Sequence, residues 1–228
     1  MKLFNPTIND IHLRIGQAFF SLMSHGLYDL FLYHFVTGFF WQCDTQKIKD
    51  NYFDNISNNH LEIGVGTAYL LQGILSEEYK PRLALMDLNK NCLTKAAKKL
   101  EDFMPETYLQ NVLDPINQPI KKFDSIGMNY VLHCVEGSFK TKSIVFKHMK
   151  TLLNRGGVLF GATLLNAGVQ RSIFSRVFMK LLNWLCIFNN SEDNLEDFEK
   201  GLNQHFYQVD IKIMGCAVIF NAREPKLD

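Results

Sequence analysis

His60-Leu61-Glu62-Ile63-Gly64-Val65-Gly66-Thr67-Ala68 runs a short apolar strand into a pair of glycines, and Tyr69, Leu70, Leu71, Ile74 and Leu75 follow at helical spacing. A buried strand that turns within a few residues into a helix needs a residue type free to take unusual backbone angles. Glycine supplies that freedom, and it also lets a ligand come close to the main chain. Alone, so short a motif is weak evidence, since a tight strand-to-helix turn with no ligand can also carry it, and its surroundings have to decide. The next apolar run, Leu83-Ala84-Leu85-Met86-Asp87, ends in a carboxylate, and Asn89 stands where it caps a helix through Leu93, Ala96, Ala97 and Leu100. A carboxylate at that strand end can accept hydrogen bonds from both hydroxyls of a ribose, which points to an adenosine-containing ligand.

Outward from this unit the alternation continues. A third short strand over residues 107–110 ends at Asn111, a fourth covers residues 124–130, and a helix follows near residues 142–153. The turn Asn154-Arg155-Gly156 introduces a fifth strand over residues 157–164. Strands and helices in alternation imply a parallel sheet covered on both faces. The pattern then changes to a long helical stretch reaching about Leu202, followed by strands over residues 206–213 and 216–221 with Met214-Gly215 as the turn. The expected architecture is therefore α/β: a mostly parallel seven-stranded sheet with helices on both faces and a terminal antiparallel hairpin. With no linker in view, the chain reads as one domain. Residues 1–57 form a helical cap, 58–165 a ligand-binding core, 166–204 a helical lid insertion and 205–228 the hairpin.

At 228 residues with 47% apolar side chains, the chain is long enough to bury one sizeable core. Its formal charge of +1 creates no overall field for a nucleic-acid backbone or an anionic membrane, so small-molecule chemistry is the better expectation. The five cysteines are spread along the chain with no C-x-x-C pair and no Cys/His cluster to organise zinc, so they read as reduced core thiols and no metal is expected. The start of the chain reaches polar Asn9 and Asp10 before any long apolar stretch, unlike a signal peptide. The greasiest segment, residues 173–188, is interrupted by Arg176 and Lys180 and is too short for a stable membrane span. The cytoplasm is the default compartment on this reading, and the oligomeric state is open.

Position 69 separates the candidate adenosine ligands. A dinucleotide site of the G-x-G-x-x-G type needs a small residue there, so that helix and strand pack closely under a pyrophosphate, and this chain has Tyr69. A ligand without a pyrophosphate makes no such demand. The series 61–67, Asp87, Asn111, residues 124–132 and Arg155-Gly156-Gly157 resembles the ordered motifs of the class I S-adenosylmethionine-dependent methyltransferases, over residues 58–222. The phrases Met86-Asp87-Leu88-Asn89, Phe123-Asp124-Ser125-Ile126 and Leu132-His133-Cys134 look most like a little-characterised bacterial group of small-molecule type. The resemblance implies a Rossmann-like fold with S-adenosyl-L-methionine as cofactor. It implies that Glu62, Gly64 and Gly66 surround the methionine part, that Asp87 holds the ribose, and that Leu88 lies against the adenine. Asn111, with Val112, would meet the adenine edge, and Asn129 would face the cofactor. The family usually carries an acid where Asn111 stands and often a third glycine where Ala68 stands. Both replacements remain compatible with binding, since an amide can engage the adenine amino group and alanine is small.

Methyl transfer from a sulfonium is an in-line displacement that gains most from alignment and exclusion of water, so no catalytic triad is required. Where the acceptor needs a base, His133 is the candidate, because it follows the fourth strand on the cofactor side; a packed structural histidine is the competing reading. Ile173, Phe174, Val177, Phe178, Leu181, Leu182 and Leu185 recur at helical spacing and, with Phe19-Phe20, Phe31 and Phe39-Phe40, would close an apolar chamber over a small, largely apolar acceptor. The same stripe could instead complete the core or lie on a membrane surface. Trp41, Tyr28, Tyr33 and Phe35 read first as core residues. No basic run or appended domain suggests nucleic acid. A catalytically idle cofactor-binding module shares every one of these motifs, and an NAD-dependent oxidoreductase is the reading that Tyr69 and the hairpin disfavour.

Overall fold

The computed structural model describes residues 31–226 together with Ala18. The expected contributions of Phe19-Phe20 and Tyr28, and of the side chains of Phe31, Tyr33 and Phe35, lie outside the described residues. Seven strands form one sheet in the order β3-β2-β1-β4-β5-β7-β6. They are β1 (Asn59–Ile63), β2 (Arg82–Asp87), β3 (Glu106–Leu109), β4 (Phe123–Asn129), β5 (Leu153–Leu164), β6 (Phe206–Met214) and β7 (Ala217–Pro225). Strands β1 to β5 pair in parallel. β7 runs against both β5 and β6, so the terminal hairpin places a single reversed strand inside the sheet and returns β6 to the common direction. The hairpin turns at Gly215-Cys216, one residue later than the expected Met214-Gly215.

Helices cover both faces. α1 (Thr45–Asn55) starts at Asp44, whose side chain accepts the Gln46 N–H at 2.9 Å. It is followed by α2 (Tyr69–Gln72), α3 (Lys90–Lys99), α4 (Phe139–Lys142), α5 (Ile144–Thr151), α6 (Ile173–Trp184) and α7 (Leu195–His205). Alternation along the strands divides the core in two. Tyr52, Leu83, Leu85, Leu93, Val158 and Phe160 pack on one face, while Leu61, Ile63, Met128, Phe146, Phe198 and Leu202 pack on the other. Arg82 on β2 forks onto the Glu106 carboxylate of β3 through bonds of 2.8 and 2.9 Å, tying the edge strand in place.

Two expectations about helices need correction. The helix after the glycine loop was expected to run through Leu75 but stops at Gln72, with Gly73 as its cap. The stretch expected to be helical to Leu202 is broken between α6 and α7, and Phe198 and Leu202 of α7 are fully buried against α4, α5 and β6. Before β1 a wide π-helical segment (Phe31–Phe40) leads into Trp41, which is buried as expected. All five cysteines are free thiols. Burial raises Cys43 and Cys134 to about 12, so both stay protonated. No helix among the described residues is long and apolar enough to cross a membrane.

Candidate active site

Strand order reverses between β1 and β4, and in open α/β sheets ligands sit outside the carboxyl ends of the strands at such a point. The glycine loop leaves β1 there. Gly64 (φ +68°), Gly66 (φ +48°) and Ala68 (φ +60°) all take left-handed backbone, and the Gly64 N–H donates to the Met86 carbonyl at 2.8 Å. A Cβ on Gly64 would stand 2.3 Å from Val131 Cγ2, just beyond β4, whereas the nearest atom to one on Gly66 is the Gly64 carbonyl at 4.0 Å. Gly64 is therefore held to glycine by packing as well as by its backbone angles. Glu62, two residues before Gly64, is buried; its Oε2 accepts the Tyr52 hydroxyl at 2.6 Å and lies 3.1 Å from His60 Nε2.

Asp87 ends β2 beside this loop. Burial pushes its carboxyl up to about 6, and the backbone N–H groups of Asn89, Gly66, Val65 and Leu88 oppose the rise; that of Asn89 donates to Oδ1 at 2.7 Å. Asn89 is also the expected N-cap of α3, accepting from the Asn91 and Cys92 N–H groups. Leu88 is half-buried. Past β3, the Asn111 side-chain oxygen accepts the Leu113 N–H at 3.1 Å, so one of its lone pairs is already used to turn the loop. The Val112 side chain is buried in the core of the opposite face and its carbonyl accepts from His148 at 2.9 Å, which leaves its backbone N–H as the group able to serve a ligand.

Asn129, the last residue of β4, is 7% exposed, and its side-chain nitrogen has no hydrogen-bond partner among the described residues. A buried donor without a partner costs about 1–3 kcal/mol, so such a group at a strand end calls for an acceptor from outside the chain. Tyr130 then takes φ +57°, a strained setting for an aromatic residue and a common mark of functional sites. His133 follows, buried and 3.4 Å from Thr163 Oγ1 through Nδ1. Burial, with the Lys142 charge nearby, lowers it to about 3, so its ring is neutral and a weak base. Aromatic rings continue from there: His133 meets Phe188 at 4.4 Å, Phe188 meets Trp41 at 5.9 Å, Trp41 meets Phe178 of α6 at 5.5 Å, and Phe178 meets Phe40 at 4.2 Å.

A family model described as a methyltransferase domain matches residues 61–159. Methyltransferase aurB of Calcarisporium arbuscula is 35% identical over 212 residues, covering 87% of this chain and 92% of that protein. Demethylluteothin O-methyltransferase of Streptomyces thioluteus is 38% identical over 207 residues, covering 91% and 90%. The chain belongs to the class I S-adenosylmethionine-dependent methyltransferases. The N-methyltransferase NodS of Bradyrhizobium japonicum WM9, solved with S-adenosyl-l-homocysteine, shares the fold at a TM-score of 0.56 and 15% identity, over 80% of this chain and 85% of that one.

In this methyltransferase the residues expected from sequence stand at or just past the carboxyl ends of β1, β2, β3 and β4, and they fit S-adenosylmethionine chemically. The Asn129 amide nitrogen, unpartnered among the described residues, the Asp87 carboxylate and the open backbone at Gly66 offer a donor, an acceptor and room, in that order. Sequence reading missed Tyr52, His60 and Ser125 beneath Glu62, and Phe188 against His133. His60 carried a usable signal: two residues before Glu62 on a strand, it must share that face. Tyr52 and Phe188 carried none, because their partners are distant in sequence.

Proposed function

We propose that the enzyme transfers the methyl group of S-adenosylmethionine to a small, largely apolar acceptor bound against the aromatic succession Tyr130, His133, Phe188, Trp41 and Phe178. The observation that carries this reading is that succession itself, set beside Asn129 at the carboxyl ends of the strands. Glu62, Gly64 and Gly66 take the methionine part, Asp87 the ribose, Leu88, Asn111 and Val112 the adenine, and Asn129 faces the cofactor. When bound, the cofactor supplies an activated methyl group on a sulfonium. The chain aligns an acceptor with it and keeps water away, which is where an in-line displacement gains most. His133, neutral and a weak base, orients the acceptor within the wall rather than removing its proton. α6 and the segment leading into Trp41 form the cover, since Phe40 and Phe178 already meet. The Streptomyces relative, a demethylluteothin O-methyltransferase, supports a small-molecule acceptor, and the near-zero net charge argues against nucleic acid.

The test is methyl transfer from isotopically labelled cofactor to a panel of hydroxyaromatic compounds, compared between wild type and Phe188→Ala. The variant should raise KM for the acceptor about tenfold and leave the dissociation constant of S-adenosylhomocysteine unchanged. Methylation of peptides or nucleic acid alone, with no aromatic compound accepted, would overturn the reading.

A further inference from the structure

His60 and Glu62 lie on the same face of β1, beneath α1, and are almost wholly buried. Tyr52 of α1 donates its hydroxyl to Glu62 Oε2 at 2.6 Å, and His60 Nε2 lies 3.1 Å from that oxygen and 3.1 Å from the Tyr52 hydroxyl. On its other side, His60 Nδ1 lies 2.8 Å from Ser125 Oγ, which accepts the Ser57 N–H at 2.9 Å. One proton arrangement uses each donor once: Ser57 N–H to Ser125, Ser125 O–H to His60 Nδ1, His60 Nε2–H and Tyr52 O–H to Glu62. Every side-chain hydrogen bond that Glu62 makes among the described residues lands on Oε2. The neighbouring strand leaves room for this. Glu62 pairs in register with Gly127, and a Cβ there would stand 2.5 Å from Oε2 and 3.2 Å from His60 Cε1.

We infer that Tyr52 and His60 are positioning residues for the amino-acid end of the cofactor: they hold Glu62 by Oε2 over Gly127, so that Oε1 is kept for the methionine ammonium group. The inference rests on the site reading above and adds to it the support for Glu62. A carboxylate with both oxygens free would rotate and bind the ammonium group less tightly, whereas one anchored by two donors loses little freedom on binding.

The experiment compares two ligands by calorimetry: S-adenosylhomocysteine, which carries the amino-acid part, and methylthioadenosine, which lacks it. Tyr52→Phe and His60→Met, confirmed as folded by thermal melting, should weaken S-adenosylhomocysteine about tenfold and change methylthioadenosine by less than about twofold. Gly127→Ala displaces Oε2 from the opposite side and should show the same selectivity, so the inference remains testable where one of the other variants does not fold. Glu62→Gln sets the scale of the selective loss. Equal weakening of both ligands would overturn the inference, because it would mean a general disturbance of β1, and so would unchanged affinity for S-adenosylhomocysteine. If Glu62→Gln weakens S-adenosylhomocysteine selectively while Tyr52→Phe, His60→Met and Gly127→Ala do not, this inference fails and the site reading stands. If wild type binds neither ligand, both fall together.

Discussion

In the proposed site, Asp87 would couple the fold to the ligand through a single carboxylate. Its carboxyl ionises at about 6 in the cofactor-free protein, against an ordinary value of 3.8, because burial outweighs the N–H groups that point at it. Two consequences have fixed signs. The cofactor-free fold binds this proton more tightly than the unfolded chain, so the group's contribution to stability is full below about pH 3.8 and is lost as pH rises through about 6. In the proposed ribose site the hydroxyls would donate to the ionised form and lower the value in the complex, so affinity should be full above about pH 6 and fall as pH drops below it, by up to about tenfold per unit. Calorimetry with S-adenosylhomocysteine across that range should show the decline in wild type and a weaker, flat profile in Asp87→Asn. A wild-type affinity that is level across the range would remove Asp87 from the ribose site. Asp87 and the glycines were legible because a strand-end acid and a paired glycine are local patterns. The neutrality of His133 was not, because it comes from burial, with Phe188 packed on the ring, and from the Lys142 charge, all brought to it only by the fold.

At the scale of elements, strands that alternate with helices announced themselves, because a strand buried on both faces is a short apolar run with turn residues at its ends. Sequence reading missed the break after α6, although the sequence marked part of it. Residues 185–188 continue the apolar run, but Asn189-Asn190-Ser191-Glu192-Asp193-Asn194 is rich in turn and cap formers that disfavour a helix interior, and tertiary hydrogen bonds fix the turn they make. The Asn189 N–H donates to the His133 carbonyl at 2.8 Å, its side chain to that of Cys134 at 3.1 Å, and the Asn190 side chain to that of Leu164 at 3.0 Å. Cys186 takes φ +58° to make the turn. α6 itself is apolar on both sides. Ser175 and Met179 are buried, and Ser175 bonds the Phe40 carbonyl, while Phe174, Val177 and Trp184 are each more than 60% exposed. A helix so exposed is anchored on one face and free to close on the other. Hydrogen exchange over residues 173–184 should therefore slow when S-adenosylhomocysteine and an apolar acceptor are added together. Equal, high protection in every state would make α6 a fixed part of the core, and strong binding to lipid vesicles without ligand would assign its outer face to a membrane surface instead.

Across the whole molecule, the segment that follows β4 and the cover are tied together by one buried ion pair. Lys142 of α4 and Asp193, between α6 and α7, are both fully buried with Nζ and Oδ2 2.7 Å apart. The same ammonium donates to the carbonyls of Leu132 and Val135, which flank His133, and to that of Asn189. It thus fixes the segment carrying His133 to the segment that follows α6. Burial raises Asp193 to about 6 and lowers Lys142, while their attraction opposes both shifts. The other Asp193 oxygen has no partner among the described residues, so losing Lys142 would leave a buried carboxylate uncompensated. Lys142→Met should cost about 3–5 kcal/mol near neutral pH, a large part of the roughly 5–15 kcal/mol that holds a domain together. The cost should shrink as pH falls. Without the ammonium the folded Asp193 takes up its proton above the wild-type value of about 6, and a raised carboxyl destabilises only where it is ionised. Replacing both partners, Lys142→Met with Asp193→Leu, removes the buried charge altogether and should recover most of the loss. Urea unfolding of the two variants and wild type at two pH values measures all three terms. A single variant costing under about 1 kcal/mol at neutral pH would mean that water reaches Asp193 and that the two segments are not held together by this pair.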